Sequence, residues 1–170
     1  MDIPVFHAFT YTHNSGLARR LLTPVTVISD DKSKFVQVDA LWDTGATCTC
    51  ISHETVSQLA LVPTGMMTVK TASGTEDVKT YLINIGLPNH IAIEEVRVCD
   101  SAIGEQGIGM LIGMDIISMG DFSVTNRQNT VFSFRIPSIK EINYVREAEI
   151  LKLTGTHGKG KGKRNSKHRR

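Results

Sequence analysis

Residues 40–47 read Ala40-Leu41-Trp42-Asp43-Thr44-Gly45-Ala46-Thr47, an apolar run that leads straight into an Asp-Thr-Gly turn. Apolar residues up to the edge of a carboxylate predict a buried strand that delivers the Asp at its end. Thr can bond neighbouring backbone, and Gly allows an unusual turn and the close approach of a ligand. A carboxylate held there sits in low dielectric, where its ionisation becomes adjustable. The bland alternative is a strand followed by a solvated turn. The tripeptide should occur by chance in roughly one chain of this length in thirty, so other stretches must decide.

The chain has 170 residues, 41% of them hydrophobic. That suffices for one domain with a real core. It has no apolar run long enough to span a membrane. The start, Met1-Asp2-Ile3-Pro4-Val5, lacks the basic and apolar regions of a secretory signal, so a cytoplasmic location is expected. The three cysteines, Cys48, Cys50 and Cys99, fit reduced thiols in that compartment. Cys48-x-Cys50 could be half a metal site. No second Cys/His pair has ligand spacing, so small packed residues are the favoured reading, with neither metal nor cofactor expected. Net charge is +2, but residues 157–170 hold seven of the 19 basic residues and no acid, leaving 12 basic against 17 acidic in the body.

Several strands are predicted. Alternation through Ile3, Val5, His7, Phe9 and Tyr11 reads as an edge strand, and His13–Gly16 as a turn. Val25–Ile28 and Phe35–Trp42 form a hairpin over Asp30–Ser33 that presents Asp43 at its exit. Ser52 is an N-cap candidate for a short helix through Leu59, with His53 on the solvent side. Two alternating strands within 66–85 flank Ala72, Ser73, Gly74 and Thr75, whose small, flexible side chains suit either an ordinary hairpin or a movable lid. Ala92–Cys99 is a further strand, and Ile103–Gly107 a loop. Met110-Leu111-Ile112 is a tight apolar strand running into Gly113, then a short helix with Gly120 as its C-cap. Gly107-x-Gly109-x-x-x-Gly113 lacks the strand–glycine–helix order of a nucleotide loop. Phe122–Thr125 and Val131–Ile136 close with a hairpin, and Ser138-Ile139-Lys140-Glu141 reads as a capping box that opens a C-terminal helix. The Gly/Lys/Arg tail has no apolar content. It is read as solvated, with nucleic-acid contact the weaker alternative because no aromatics interleave its charges.

Taken together, a strand ending in Asp43-Thr44-Gly45-Ala46, a hairpin with its tip near Gly74, and Leu111-Ile112-Gly113 before a short helix resemble the retropepsin-like aspartic proteases. The order and spacing match over about residues 22–137. The pairing of Trp42-Asp43-Thr44-Gly45-Ala46-Thr47 with Leu111-Ile112-Gly113-Met114-Asp115-Ile116-Ile117 looks most like bacterial members. The resemblance implies an all-β, single-lobe closed barrel with a short helix after the Leu-Ile-Gly strand and a C-terminal helix. The expected parts are an N-terminal strand extension (1–21), the barrel domain (22–137), the helix (138–154) and a basic tail (155–170). The resemblance also implies that Asp43 is catalytic, that 72–75 form a flap, and that Leu111-Ile112-Gly113 pack beneath the Asp. Many retroviral members pair an acid two residues after the glycine with an Arg after the later glycine. Here those positions are Thr47 and Met114, so both partners are absent together and no orphan charge remains.

Acid proteolysis needs two carboxylates sharing a proton, one activating water and the other hydrogen-bonding the carbonyl. The chain holds one Asp-Thr-Gly, so an aspartic endopeptidase of this kind must be a symmetric homodimer acting on protein or peptide. Asp115 is read as a cap of the short helix rather than as the second acid. Thr44 is expected to link the two loops. Ala46 offers the carboxylate no hydroxyl, which shifts the expected pH optimum from strongly acidic toward neutral. The competing reading is a catalytically silent, peptide-binding dimer of the same fold.

Overall fold

The computed structural model describes residues 5–71 and 74–155. It divides into two units, residues 1–139 and 140–170. In the first unit the elements run β1 (His7–Thr12), β2 (Leu22–Ser29), β3 (Phe35–Trp42), β4 (Cys50–Ser52), α1 (His53–Leu59), β5 (Gly65–Thr71), β6 (Gly74–Leu87) and β7 (Ile91–Ser101). A 3₁₀ turn over Ala102–Gln106 follows, then β8 (Met110–Ile112), α2 (Met114–Ile117), β9 (Asp121–Asn126) and β10 (Thr130–Ile136). The second unit holds α3 (Tyr144–Gly155).

The expected all-β closed barrel is present. Six strands run in the order β2-β3-β8-β4-β7-β6, and β6 pairs back onto β2 to close the ring, while β5 extends beyond β6. Closure leaves the barrel proper without free edges. It also needs a strand long enough to serve two neighbours. The 14-residue β6 does this, pairing with β7 from Thr80 to Leu87 and with β2 over Ile83–Gly86. Its register slips between Ile83 and Ile85. The buried Asn84 between them satisfies the irregularity: Nδ2 donates to the Ser29 carbonyl at 3.2 Å, and Oδ1 accepts from the Glu95 amide at 3.0 Å. The inward residues are those the period-2 pattern selects, among them Val25, Val27, Ile83, Ile85, Val98, Met110 and Ile112, all at 2% exposure or less.

Against this barrel lies a three-stranded sheet, β1-β10-β9, fully antiparallel. Aromatic residues fill the seam. Trp42 stacks on Phe122 at 5.5 Å between centroids and 8° between planes, and it touches Phe9, Phe132 and Phe134. The buried indole N–H donates to Thr23 Oγ1 at 2.9 Å, so the large side chain is buried with its polar handle satisfied. The edge strand expected at the N-terminus forms over His7–Thr12 in this sheet, with Phe9 as its buried anchor; Val5 precedes it, and Ile3 lies outside the described residues.

Ser52 caps α1 as the sequence predicts, its hydroxyl accepting from the Thr55 amide at 3.1 Å. Two local expectations are overridden by tertiary contacts. Gly120 does not cap the short helix, which ends with Ser118. Instead Gly120 lies so close to β10 that an added Cβ would sit 2.0 Å from the Arg135 carbonyl oxygen. Ser138 does not open the C-terminal helix either, because its hydroxyl bonds the carboxylate of Asp121. That helix starts at Tyr144, with Asn143 Oδ1 accepting from the Arg146 amide at 3.0 Å. Among the described residues no helix is long and apolar enough to cross a membrane.

Asp121 gathers Arg135, Ser138 and the Ile139 amide, and these hydrogen bonds hold its carboxyl well below the usual carboxylate range. A depressed native pKa contributes stability that is complete above the unfolded value near 4 and is lost as pH falls through the native one. Asp121→Asn should therefore lower the melting temperature at neutral pH and flatten its decline below about pH 4, measured by thermal denaturation across pH. Phe134 is fully buried within the aromatic seam. Phe134→Ala should cost about 3–5 kcal/mol in urea unfolding through the cavity it leaves.

Candidate active site

β3 carries the chain to Asp43 through the pairing Ala40↔Met110, Leu41↔Leu111 and Trp42↔Ile112, a parallel ladder with β8. One further bond, from the Asp43 amide to the Ile112 carbonyl at 3.0 Å, extends that ladder to the acid itself. Trp42 is anchored inward, so the alternation of the strand turns Asp43 away from the aromatic seam, and it is half-buried. Its Oδ1 accepts the Gly45 amide at 2.8 Å, and its carbonyl accepts the Ala46 amide at 3.2 Å. A Cβ on Gly45 would lie 3.1 Å from that Oδ1, so glycine lets the amide approach the carboxylate. Thr44 and Gly45 are exposed and Ala46 half-buried.

The loop is braced from below. Gly113 packs against the loop backbone so tightly that a Cβ would meet the Cys48 carbonyl group at 2.7 Å and the Ala46 oxygen at 3.1 Å. The Met114 amide can then reach the Ala46 carbonyl at 2.8 Å. Buried Thr49 completes the brace. Its amide and hydroxyl donate to the two carboxylate oxygens of Asp115 at 2.9 and 2.8 Å, and its Oγ1 accepts the Gly113 amide at 3.1 Å. Asp115 also accepts the Ile116 amide at 3.0 Å within α2, but it acts chiefly as the tie between α2 and the Asp43 loop. Leu111 is half-buried, and Ile112 and Gly113 are buried beneath the loop.

β5 and β6 pair from Gly65↔Thr80 out to Thr71↔Gly74. Ala72 and Ser73 at the tip lie outside the described residues. Gly74 has φ +138°, a conformation only glycine adopts without strain, and Thr75 beside it is exposed. Between this hairpin and the Asp43 loop lies a cleft of about 800 Å³. It is lined by Gly45–Cys48 and Cys50 on one side, by Met67–Lys70 and Glu76–Lys79 of the hairpin on another, and by His53 and Cys99–Ala102.

His53 and the cysteines keep company that no spacing in the sequence shows. His53 Nδ1 lies 2.5 Å from Asp100 Oδ1, at the mouth of α1 on the cleft wall. Tyr81, raised by burial and by the Asp100 carboxylate, stands behind. Cys99 comes to Cys50 because β4 and β7 are parallel neighbours in which these two residues are partners. Cys48 joins them from the braced loop. Burial, then the Cys99 contact, pushes the Cys48 thiol up to about 11, and contact with Cys50 together with burial raises Cys99 as well. Spacing in the sequence could not reveal this grouping, since only the barrel's strand order brings 99 to 48 and 50.

A barrel that ends a buried strand in Asp-Thr-Gly, braces it with a hydrophobic–hydrophobic–Gly strand and faces it with a long hairpin is the acid-protease architecture in a single lobe. Residues 34–119 match the family described as gag-polyprotein putative aspartyl protease, and the chain belongs to this retropepsin-like aspartic protease family. Among solved structures it is similar to a retropepsin-like aspartic protease from Rickettsia conorii, at 12% identity over 80% of this chain and 99% of that one, with a TM-score of 0.51. It is also similar to EIAV protease complexed with the inhibitor HBY-793, at 18% identity over 63% and 91% of the two chains, TM-score 0.47. The simian foamy virus protease aligns at 20% identity over 55% and 89%, TM-score 0.38. No curated protein matches the chain.

The brace gives a direct test. Gly113→Ala must displace the Cys48 carbonyl, and overpacking of this kind costs about 1–3 kcal/mol. Urea unfolding should show that loss, and amide hydrogen exchange should show faster exchange at Gly45 and Ala46 than in wild type.

Proposed function

We propose that this protein is an aspartic endopeptidase that acts as a symmetric homodimer, with Asp43 of each copy supplying one of two carboxylates that share a proton. The observation that carries the reading is the setting of Asp43. It stands at the end of a buried parallel ladder, one oxygen fixed by the Gly45 amide, on a loop that lines the cleft facing the β5–β6 hairpin. One carboxylate takes a proton from water as the water attacks the scissile carbonyl. The other, protonated, donates to the carbonyl oxygen and stabilises the charge that develops there. Two such groups a few ångströms apart cannot both ionise readily, so they titrate as a pair.

The hairpin is the flap in this reading. β5 ends the seven-stranded sheet, and its outer edge, which pairs with no strand among the described residues, suits an extended peptide that adds strand-like hydrogen bonds. Met114 is 37% exposed beside the Asp43 loop, and Thr44 is exposed at its tip. Both suit a contact with a second copy, where a charged pair would need mutual compensation. A basic tail bound to nucleic acid is not needed for any step.

Incubating wild type and Asp43→Asn with a mixed peptide pool tests the assignment. Wild type should cut, and the variant should lose at least about a hundredfold in rate, the lower end of what a general acid–base pair contributes. Sedimentation of wild type should give a dimer under cleavage conditions. With alanine at 46, the rate should peak at mildly acidic to neutral pH. A peak at strongly acidic pH would refute the part assigned to Ala46, and no cleavage by either protein would leave the silent peptide-binding module.

A further inference from the structure

Where the Asp43 loop enters β4, the side chains of Cys48 and Cys50 meet the same partner, Cys99, while that of Thr49 between them meets another, Asp115. Thr49 turns inward to the Asp115 tie. The two cysteines turn toward the cleft wall, where Cys99 meets them from β7. Cys48 Sγ and Cys99 Sγ are 3.4 Å apart, and Cys50 Sγ and Cys99 Sγ are 3.2 Å apart. All three sulfurs lie within 4.8 Å of one another. Cys99 is 2% exposed, while Cys48 and Cys50 are half-buried and line the cleft.

We propose that Cys48, Cys50 and Cys99 form a binding site for a soft d¹⁰ metal cation, Cu(I) or Zn(II), set in the wall of the cleft. Thiolate sulfur selects such ions over hard cations. Metal–sulfur bonds of about 2.3 Å place sulfurs on one ion roughly 3.8–4.0 Å apart, so each pair to Cys99 has to open by well under about 1 Å. A disulfide would require one pair to close to about 2.05 Å and would leave the third thiol unused. The backbone is already fixed around the sulfurs. The Cys99 amide donates to the Thr49 carbonyl at 3.2 Å, and the Cys48 carbonyl group packs on Gly113. On binding, three S–H protons leave to solvent as three metal–sulfur bonds form. The open side faces the cleft, so three-coordination suits Cu(I), and a solvent ligand completes Zn(II).

The site does not depend on peptidase activity, and its readout is separate. The reduced full-length chain is titrated with Cu(I) against a chromophoric chelator and, in a second arm, with Zn(II) against its own indicator. Wild type should take up one ion per chain with a thiolate-to-metal charge-transfer band. Cys48→Ser and Cys50→Ser, both half-buried and checked for folding by circular dichroism, should each lose more than the roughly 10–100-fold that an outer partner contributes. Retention of Cu(I) alone assigns the three-coordinate site, and retention of Zn(II) assigns the site with a solvent ligand. Failure of wild type to hold either ion, or undiminished affinity in either serine variant, overturns the proposal.

Discussion

The close approach of Gly113 to the backbone of the Asp43 loop is the contact on which the rest of the site depends. A side chain there would overlap the Cys48 carbonyl group. Without it, the Met114 amide reaches the Ala46 carbonyl and the Gly113 amide reaches Thr49. The loop is thereby tied by backbone hydrogen bonds to the strand beneath and to the helix that follows. The amide of buried Gly113 would cost about 1–3 kcal/mol if its bond were left unmade. Ordering the loop is thus a property of the barrel itself. The same ladder that holds β8 between β3 and β4 aims Asp43, while Trp42 beside it is sunk in the aromatic seam.

Order is distributed unevenly on the two sides of the cleft. β6 is exposed from Gly74 to Asp77 and largely buried from Thr80 onward. Its outer half pairs with β5, whose side chains are mostly exposed too, and its inner half closes the barrel. Segments with few buried apolar contacts open at low free energy, and those in the core open only with global unfolding. The outer hairpin is thus tied to the core by few buried contacts, and the ring that carries Asp43 by many. For the endopeptidase proposed above, a firmly placed acid opposite a loosely held hairpin would serve both precise placement of the reacting group and access for an extended chain.

The features that sequence made legible are those set by neighbours along the chain. Apolar residues before Asp43, glycine at 45, the alternation flanking residue 74 and the Ser52 cap each follow from a local pattern, and each forms. The features it missed are set by residues far away. Ser138 has the spacing of a capping box, but Asp121 competes for its hydroxyl and is held by Arg135 as well. Gly120 looks like a helix C-cap, yet it is glycine because β10 passes against it. Asp115 does bond within α2, and its stronger engagement is with Thr49, on a segment that sequence does not bring near. Cys99 has no spacing relation to the other cysteines, and only the parallel pairing of β4 with β7 explains its place. Closing a barrel brings distant strands into register, and no window on the sequence contains both partners.

The segment Cys48-Thr49-Cys50 faces two ways, and this joins the parts. Thr49 is fully buried, and its side chain is committed to Asp115 and Gly113. The backbone on either side is held as well, by the Cys99 amide on the Thr49 carbonyl and by the packing of the Cys48 carbonyl group on Gly113. The Asp43 loop leaves β3 and enters this same segment within a few residues. Cys48 is two residues from Ala46, whose carbonyl accepts the Met114 amide at 2.8 Å. Close packing makes such a connection stiff. The thiol face and the carboxylate face thus share one piece of backbone, held from below by a glycine with no room for a methyl group.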